Sequence, residues 1–172
     1  MQVAVKDVRI GLRNSTVRIP FRYGNSCLTR CPQAVLFATI EVDGSPATGF
    51  SGDCLPPGWF DKSAGKGFDE QITDMLRSTE QAIEGFSSTL NQPKTFFDGW
   101  SESYRIQQEW GREEGLPSLL ASFGLSLVER AVMDGMARKA GISFHQAVQE
   151  NLYGIRPGDV FTELEGLELP QW

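Results

Sequence analysis

Hydrophobic and polar residues alternate at the start of the chain. The apolar positions with a period of two are Val3, Val5, Val8, Ile10 and Leu12. The period slips by one residue near Lys6-Asp7, as it does at a β-bulge. This pattern predicts a first strand. The polar stretch from Asn14 to Pro32 is rich in turn residues and longer than a hairpin needs, so it predicts a long loop of the kind that often carries function.

A second pair of extended segments follows. Ala34 to Val42 is rich in Val, Ile, Phe and Thr, and Asp43-Gly44 comes directly after it. Both turn residues tolerate positive φ, so the pattern predicts a tight hairpin with a returning strand over Ala47 to Leu55. Pro56-Pro57-Gly58 then ends the strand.

After a polar stretch from Lys62 to Gly67, the apolar period changes from two to 3.6. The sequence predicts a helix from Phe68 to Leu90 and a second helix capped by Thr95. It then predicts a short helix over Ser118 to Phe123, a longer one from Ser126 that ends at Gly141, and a last one capped by Ser143. Strands followed by helices predict an α+β fold, a three-stranded antiparallel meander followed by a helical bundle.

Composition and charge argue against some classes of binding partner. The chain has 172 residues, 40% of them hydrophobic, which suits one globular domain. Its net charge of -6 argues against nucleic acid as a partner, because phosphate binding needs basic surface. No apolar run approaches the ~20 residues that cross a bilayer. We therefore expect a soluble, cytoplasmic protein without a membrane partner.

Cysteine and histidine offer little support for a metal centre. The conceivable zinc ligands are Cys27, Cys31, Cys54 and His145. A C-x3-C spacing without a second pair is a weak metal signal, so ordinary reduced thiols are the simpler interpretation. His145 has no identifiable partner and is expected to be exposed or half-packed. Asp134 lies four residues from both Arg130 and Arg138, and we expect it to form ion pairs with them.

Several local strings resemble the amino-terminal capping domain of the enolase superfamily, in its mandelate racemase and muconate-lactonizing branch. Leu127 to Asp134, continuing to Gly141-Ile142-Ser143-Phe144, is similar to the helix Ala-Leu-Asp-x-Ala-Leu-Trp-Asp and the Gly-x-Pro-Leu that follows it. Val17 to Arg22 resembles the apolar-Pro-Phe segment before the first mobile loop, and Thr48-Gly49-Phe50 resembles the returning strand. The departures from the pattern are Met133 for Trp, Ala137-Arg138 for Gly-Lys, Ser143 for Pro and Ser51-Gly52 for Gly-Glu.

The resemblance implies a capping domain over residues 1–153 and an acidic tail or linker over residues 154–172, toward an absent barrel. Enzymes of this superfamily remove a proton α to a carboxylate and stabilise the enediolate on Mg²⁺. By resemblance, the metal ligands and bases lie on a following (β/α)₈ barrel of about 250 residues. We therefore expect no catalytic residue, metal ligand or cofactor in this chain, and Mg²⁺ only with the C-terminal barrel.

The resemblance also assigns a role to two loops, Ile19 to Pro32 and Gly52 to Gly58 with Trp59. In complete members such loops close over the barrel and shape the pocket for a small carboxylate substrate. Here Arg22 is expected to pair with the substrate anion and Tyr23 to hydrogen-bond it. Phe21 and Trp59 are expected to form an apolar wall, and Asp53 completes the set of substrate-facing candidates.

The expected partner is the barrel, in cis or in trans, and the complete protein would be a racemase, cycloisomerase or dehydratase. The alternative is a stand-alone interaction module that keeps the fold and uses the barrel-docking face for a partner or for self-association. Aromatic residues at helical spacing are expected to fill the bundle core or to cover that face: Phe96, Phe97, Trp100, Tyr104 and Trp110.

Overall fold

A computed structural model of the protein describes residues 1–24, 26–63, 65–167 and 169. Its main sheet has three antiparallel strands, β1 (Val3–Arg13), β4 (Gln33–Val42) and β5 (Ser45–Cys54), in the order β1-β4-β5. The register between β1 and β4 shifts between Val5 and Asp7, where the apolar period slips. The predicted meander and its bulge are therefore confirmed.

The predicted long loop between Asn14 and Pro32 is wrong. These residues form a separate two-stranded antiparallel hairpin, β2 (Thr16–Tyr23) and β3 (Ser26–Arg30). Its register is irregular between Thr16 and Phe21, the interval that contains Pro20. Proline cannot donate to a strand ladder and is tolerated at such irregularities. Most of the hairpin is exposed on both faces. Its sequence therefore lacks the alternation of apolar and polar residues that identifies a strand with one buried face. Asn25, within the predicted loop, lies outside the described residues.

The Asp43-Gly44 turn joins β4 to β5 as predicted. Asp43 has a φ of 47° and Gly44 a φ of 74°, and Val42 lies opposite Ser45. Two consecutive positive φ angles match the twist of the flanking strands. Alternate residues of β4 then face the helices: Ala34, Leu36, Ala38, Ile40 and Val42.

Four helices follow: α1 (Phe68–Thr89), α2 (Phe96–Glu113), α3 (Ser118–Ala140) and α4 (Phe144–Gln149). Thr95 and Ser143 cap α2 and α4 through their side chains, and Gly141 ends α3 in the left-handed conformation. These predicted caps are confirmed. In the described part of the chain, no helix combines the length and the hydropathy needed to cross a membrane.

Helix α3 is continuous, so the predicted break between Phe123 and Ser126 is wrong. Gly124 lies where α3 crosses α1, and a Cβ there would be 2.1 Å from the Ser78 carbonyl oxygen. The Ser78 hydroxyl donates to the carbonyls of Leu120 and Ala121 at 2.9 Å and accepts from the Gly124 amide at 3.1 Å. Gly124 therefore permits a close helix crossing instead of ending a helix.

Helix α3 also packs directly on the sheet. A Cβ at Gly49 would lie 2.0 Å from the Ala131 carbonyl oxygen, so β5 and α3 approach with backbone against backbone. Around this contact the core fills the space between the sheet and the helices. Its largest fully buried members are Tyr153, Phe86, Leu36, Ile40, Leu55 and Met75.

The segment after α4 forms two short 3₁₀ helices, Pro157–Asp159 and Thr162–Leu164. Arg156 holds it against α2, pairing with Asp98 at 2.6 Å and lying 4.8 Å from the centre of the Phe97 ring. Glu168 and residues 170–172 of the predicted acidic tail lie outside the described residues. The division into a cap over residues 1–153 and a tail or linker over 154–172 stays a prediction.

Candidate functional site

A cleft of about 710 Å³ lies where the β2–β3 hairpin meets the segment that follows β5. Tyr23 at the end of β2 and Trp59 in that segment line one part of it. Lys62 and Ser63 line another part, and Leu119 from the first turn of α3 adds an exposed apolar side chain. The cleft thus combines aromatic surface with a few polar groups, the composition typical of sites for small organic ligands.

Three aromatic rings form a continuous wall beside this cleft. The Phe21 and Tyr23 ring centres are 5.7 Å apart, and those of Tyr23 and Trp59 are 5.5 Å apart with the rings edge to face. The Tyr23 hydroxyl donates to the Pro57 carbonyl, so its oxygen keeps lone pairs that can accept a further hydrogen bond. Burial, and then the nearby Cys31 thiol, raise the pKa of Tyr23, which therefore stays a neutral phenol.

The segment carrying Trp59 is held by one side chain of α1. The Gln71 amide accepts a hydrogen bond from the Gly58 backbone N–H and donates to the Lys66 carbonyl at 3.1 Å. Gly58 has a φ of 75°, a conformation that favours glycine. Gln71 therefore connects the turn before Trp59 with the residues that lead into α1.

A partly buried ion-pair cluster lies beside the cleft, which one of its members, Asp61, lines. Lys66 Nζ lies 2.8 Å from Asp61 Oδ2 and 2.7 Å from Asp74 Oδ2. Burial by itself would raise the pKa of Asp61, but hydrogen bonds from Lys66 and Ser63 outweigh that effect and lower the pKa to about 2. The same contacts raise the pKa of Lys66. Both groups are therefore charged at neutral pH and fix the loop between β5 and α1.

The structure brings three of the five sequence-predicted candidates together, Phe21, Tyr23 and Trp59. Arg22 is exposed and, by strand alternation, points away from the face shared by Phe21 and Tyr23. Its pairing with a substrate anion stays a prediction. Asp53 does not line the cleft, because its carboxylate pairs with Arg130 at 2.9 Å. Its contact with a substrate stays a prediction.

Other residues that line the cleft were not predicted from the sequence as site residues. Asp61, Lys62 and Ser63 fall in or beside the polar stretch that has no apolar period, and Gln71 lies on a helix face with no distinguishing spacing. Their role depends on the fold, which brings them next to the hairpin. The only local signal is the run Asp61-Lys62-Ser63, which mixes charges and a hydroxyl after an aromatic segment.

Asp134 forms an ion pair with Arg138 at 2.8 Å and also accepts a hydrogen bond from the Phe50 amide at 2.9 Å. The expected second pair with Arg130 is wrong, since Arg130 turns to Asp53. Asp134 therefore joins α3 to β5.

The described residues do not offer a metal site: within residues 1–24, 26–63, 65–167 and 169 no three His, Cys, Asp or Glu side chains are grouped to hold an ion. Asp61 and Asp74, which lie next to the cleft, already share the ammonium of Lys66. His145 is exposed on α4, and Cys27 is exposed on β3. In the part of the chain that the structure describes, the residues do not fit Mg²⁺ or the zinc alternative.

Comparison with known proteins gives a likeness of fold. A scan against protein-family models and a search of curated proteins find no match. A mandelate racemase/muconate lactonizing enzyme-like protein from Rubrobacter xylanophilus matches with 14% identity and a TM-score of 0.53, over 85% of this chain and 33% of that one. An enolase from Bradyrhizobium, complexed with magnesium and mandelic acid, matches with 14% identity and a TM-score of 0.52, over 88% of this chain and 35% of that one.

The chain therefore spans about a third of the length of these two proteins. At this level of identity the likeness concerns the fold, and it confirms the enolase-like α+β architecture predicted from the sequence.

Proposed function

We propose that the chain is the substrate-capping and specificity domain of a mandelate racemase/muconate-lactonizing-like protein of the enolase superfamily. It performs no catalysis by itself. The base and the Mg²⁺ ligands lie on a (β/α)₈ barrel outside these residues, and the complete enzyme abstracts an α-proton from a small carboxylate. The observation that carries the proposal is the aromatic cleft between the β2–β3 hairpin and the segment that contains Trp59. The fold around this cleft matches about a third of the length of two longer enolase-like proteins.

The cap acts by binding and by excluding water. The wall of Phe21, Tyr23 and Trp59 removes the apolar end of a substrate from solvent, which is worth about 25 cal/mol per Å² of buried apolar surface. The Tyr23 oxygen accepts a hydrogen bond from a substrate hydroxyl, and the Lys62 ammonium attracts its negative charge. These contacts orient the substrate while the barrel carries out the chemistry.

The charge cluster supports this role by holding Asp61, two residues after Trp59, against Lys66, which also pairs with Asp74 of α1. Without Lys66 the buried Asp61 would face a large desolvation cost, and the loop between β5 and α1 would rearrange. The rigid cluster and the Gln71 contact therefore preorganise the Trp59 side of the cleft.

The proposal is tested by Mg²⁺-dependent exchange of the α-proton in deuterated water, on a panel of small carboxylates, with the complete polypeptide. Trp59→Ala should lower kcat/KM about tenfold and change the ranking of substrates, because about 1.4 kcal/mol of apolar contact is lost. Phe144→Ala removes another exposed aromatic side chain, on α4 and outside the cleft, and should leave the ranking unchanged.

Equal effects of Trp59→Ala and Phe144→Ala would refute a specificity role for the cleft. Exchange catalysed by the 172-residue chain alone would refute the assignment of the chemistry to a barrel.

A second candidate function is the stand-alone interaction module. It is favoured by the outer face of the sheet, where Phe37 and Phe50 meet edge to face with ring centres 5.0 Å apart and Val35 is 46% exposed. Exposed apolar patches of this kind often mark interfaces. A native polypeptide no larger than this chain, with self-association lost in Phe50→Ser, would support the module in place of the cap.

A further inference from the structure

Two of the three cysteines lie together behind the cleft. Cys31 precedes β4 and Cys54 ends β5, where it lies opposite Gln33 in the strand register. The Leu55 amide donates to the Pro32 carbonyl at 2.8 Å, which holds the two segments side by side. Cys31 lies two residues before Gln33, so the register places Cys31 and Cys54 diagonally across the adjoining strand ends.

The two thiols differ in their access to solvent. Cys31 is 3% exposed, whereas Cys54 is partly exposed and its sulfur lies 3.9 Å from the Gln33 amide nitrogen. Burial first, and then Cys54, raise the pKa of Cys31 to about 11. A dissolved oxidant therefore reacts first with Cys54, which is accessible, whereas Cys31 is buried and stays a protonated thiol.

The pair connects the two segments that form the cleft. Cys31 lies at the base of the hairpin, where its amide donates to the Ser15 carbonyl at 3.0 Å. Burial first, and then this thiol, raise the pKa of Tyr23. Cys54 lies directly before the segment that carries Pro57 and Trp59. A covalent bond between these cysteines would link the base of the hairpin to the end of β5, where the segment that contains Trp59 begins.

We propose that Cys31 and Cys54 form a redox site, which a peroxide converts reversibly to a disulfide that restrains the two walls of the cleft against each other. The formation of the disulfide does not depend on the proposed function. Its effect on substrate handling does rest on the proposed capping role.

The chemistry needs only a peroxide as oxidant. The Cys54 thiol loses its proton, and the thiolate attacks one peroxide oxygen. The O–O bond breaks, Cys54 becomes a sulfenic acid, and the leaving hydroxide takes up the proton that Cys54 lost and departs as water. The Cys31 sulfur then attacks the Cys54 sulfur, and the departing hydroxide takes the Cys31 proton to form a second water. Two thiols are oxidised and one peroxide is reduced to two waters. A small dithiol reverses the reaction by exchange.

Cys27 provides a matched control. It lies on β3 opposite Arg22 and is exposed. Four residues along an extended segment place it about 13 Å from Cys31, beyond the ~7 Å between Cα atoms that a disulfide allows. It is more accessible than Cys54, so simple exposure would favour its oxidation instead.

The experiment treats the 172-residue chain with hydrogen peroxide, blocks the remaining thiols with iodoacetamide and digests the protein with trypsin. Cys31 and Cys54 fall in one tryptic peptide, residues 31–62, and Cys27 in another, residues 23–30. We expect peptide 31–62 to be lighter by two hydrogen atoms and free of alkylation, with Cys27 still alkylated. The thermal midpoint should rise by roughly 5–10 °C, since the bond closes a loop of moderate length.

Cys27→Ser should behave as the wild type, and Cys54→Ala should lose both the unalkylated peptide and the thermal shift. Doubly alkylated peptide 31–62 after peroxide treatment, or oxidation beyond sulfenic acid at Cys54 with Cys31 free, would overturn the proposal. In the complete polypeptide, peroxide should lower kcat at least about twofold in the wild type and not in Cys54→Ala. A disulfide without this effect would count against its role at the cleft, whereas absence of proton exchange in the reduced protein would count against the proposed function.

Discussion

The crossing of α1 and α3 at Gly124 gives the sharpest prediction about stability. Replacing Gly124 with Ala would put a Cβ 2.1 Å from the Ser78 carbonyl oxygen and 2.5 Å from the Thr79 nitrogen. Ordinary contact begins at 3.4 Å, and both neighbours are backbone atoms that no rotamer change can move. The two helices must therefore separate by about 1 Å at the crossing.

The cost follows from what that separation disturbs. Overpacking of this kind costs about 1–3 kcal/mol. The shift also weakens the hydrogen bonds of the Ser78 hydroxyl to α3, each worth about 1 kcal/mol. Because alanine has a higher helix propensity than glycine, the substitution also stabilises the folded state by about 1 kcal/mol. We expect Gly124→Ala to lower the free energy of unfolding by about 3 kcal/mol.

Gly85→Ala is the matched control on α1. A Cβ at Gly85 has no atom within 4 Å among the described residues, so the same substitution should raise the free energy of unfolding by about 0.5–1 kcal/mol. Urea unfolding followed by circular dichroism at a helical wavelength measures both variants. Gly124→Ala with the stability of the wild type, or the same sign of change in both variants, would show that the crossing is not limited by backbone contact.

Two carboxylates yield predictions of opposite sign with pH. The pKa of Asp61 in the folded chain, about 2, is below its unfolded value of about 3.9, so its contribution is present above pH 4 and is lost as the pH falls toward 2. Asp61→Asn should be less stable at neutral pH and should lose that part of the acid dependence in a pH titration of unfolding. Glu129 accepts a hydrogen bond from the Trp100 indole, and burial raises its pKa, so its ionisation opposes folding as the pH rises above the unfolded value of about 4.3. Glu129→Gln should therefore gain stability over the wild type with rising pH, and a constant difference between pH 4 and pH 7 would contradict this.

The elements that the sequence predicted well are those whose signals are local. The period of two in β1, the Asp43-Gly44 turn and the caps at Thr95, Ser143 and Gly141 depend on near neighbours in the chain. Each of them appears in the structure because the local preference and the tertiary packing agree.

The wrong or missing predictions concern features whose structure depends on tertiary contacts. The β2–β3 hairpin buries little, so its pattern does not report a core face. The predicted break between Phe123 and Ser126 is wrong because the sequence does not reveal that Ser78 of α1 packs against Gly124. The ion pairs of Lys66 with Asp61 and Asp74 and the juxtaposition of Cys31 and Cys54 likewise join residues that have no shared motif.

The proposal that these residues cap a barrel outside them is tested most directly by the intact mass of the polypeptide that carries this sequence in its source cells. A barrel of about 250 residues, at the mass per residue of this 19.1 kDa chain, brings the total to about 45 kDa or more. We expect a species of at least that mass. A single species near 19 kDa, purified without a barrel polypeptide bound to it, would contradict the capping function.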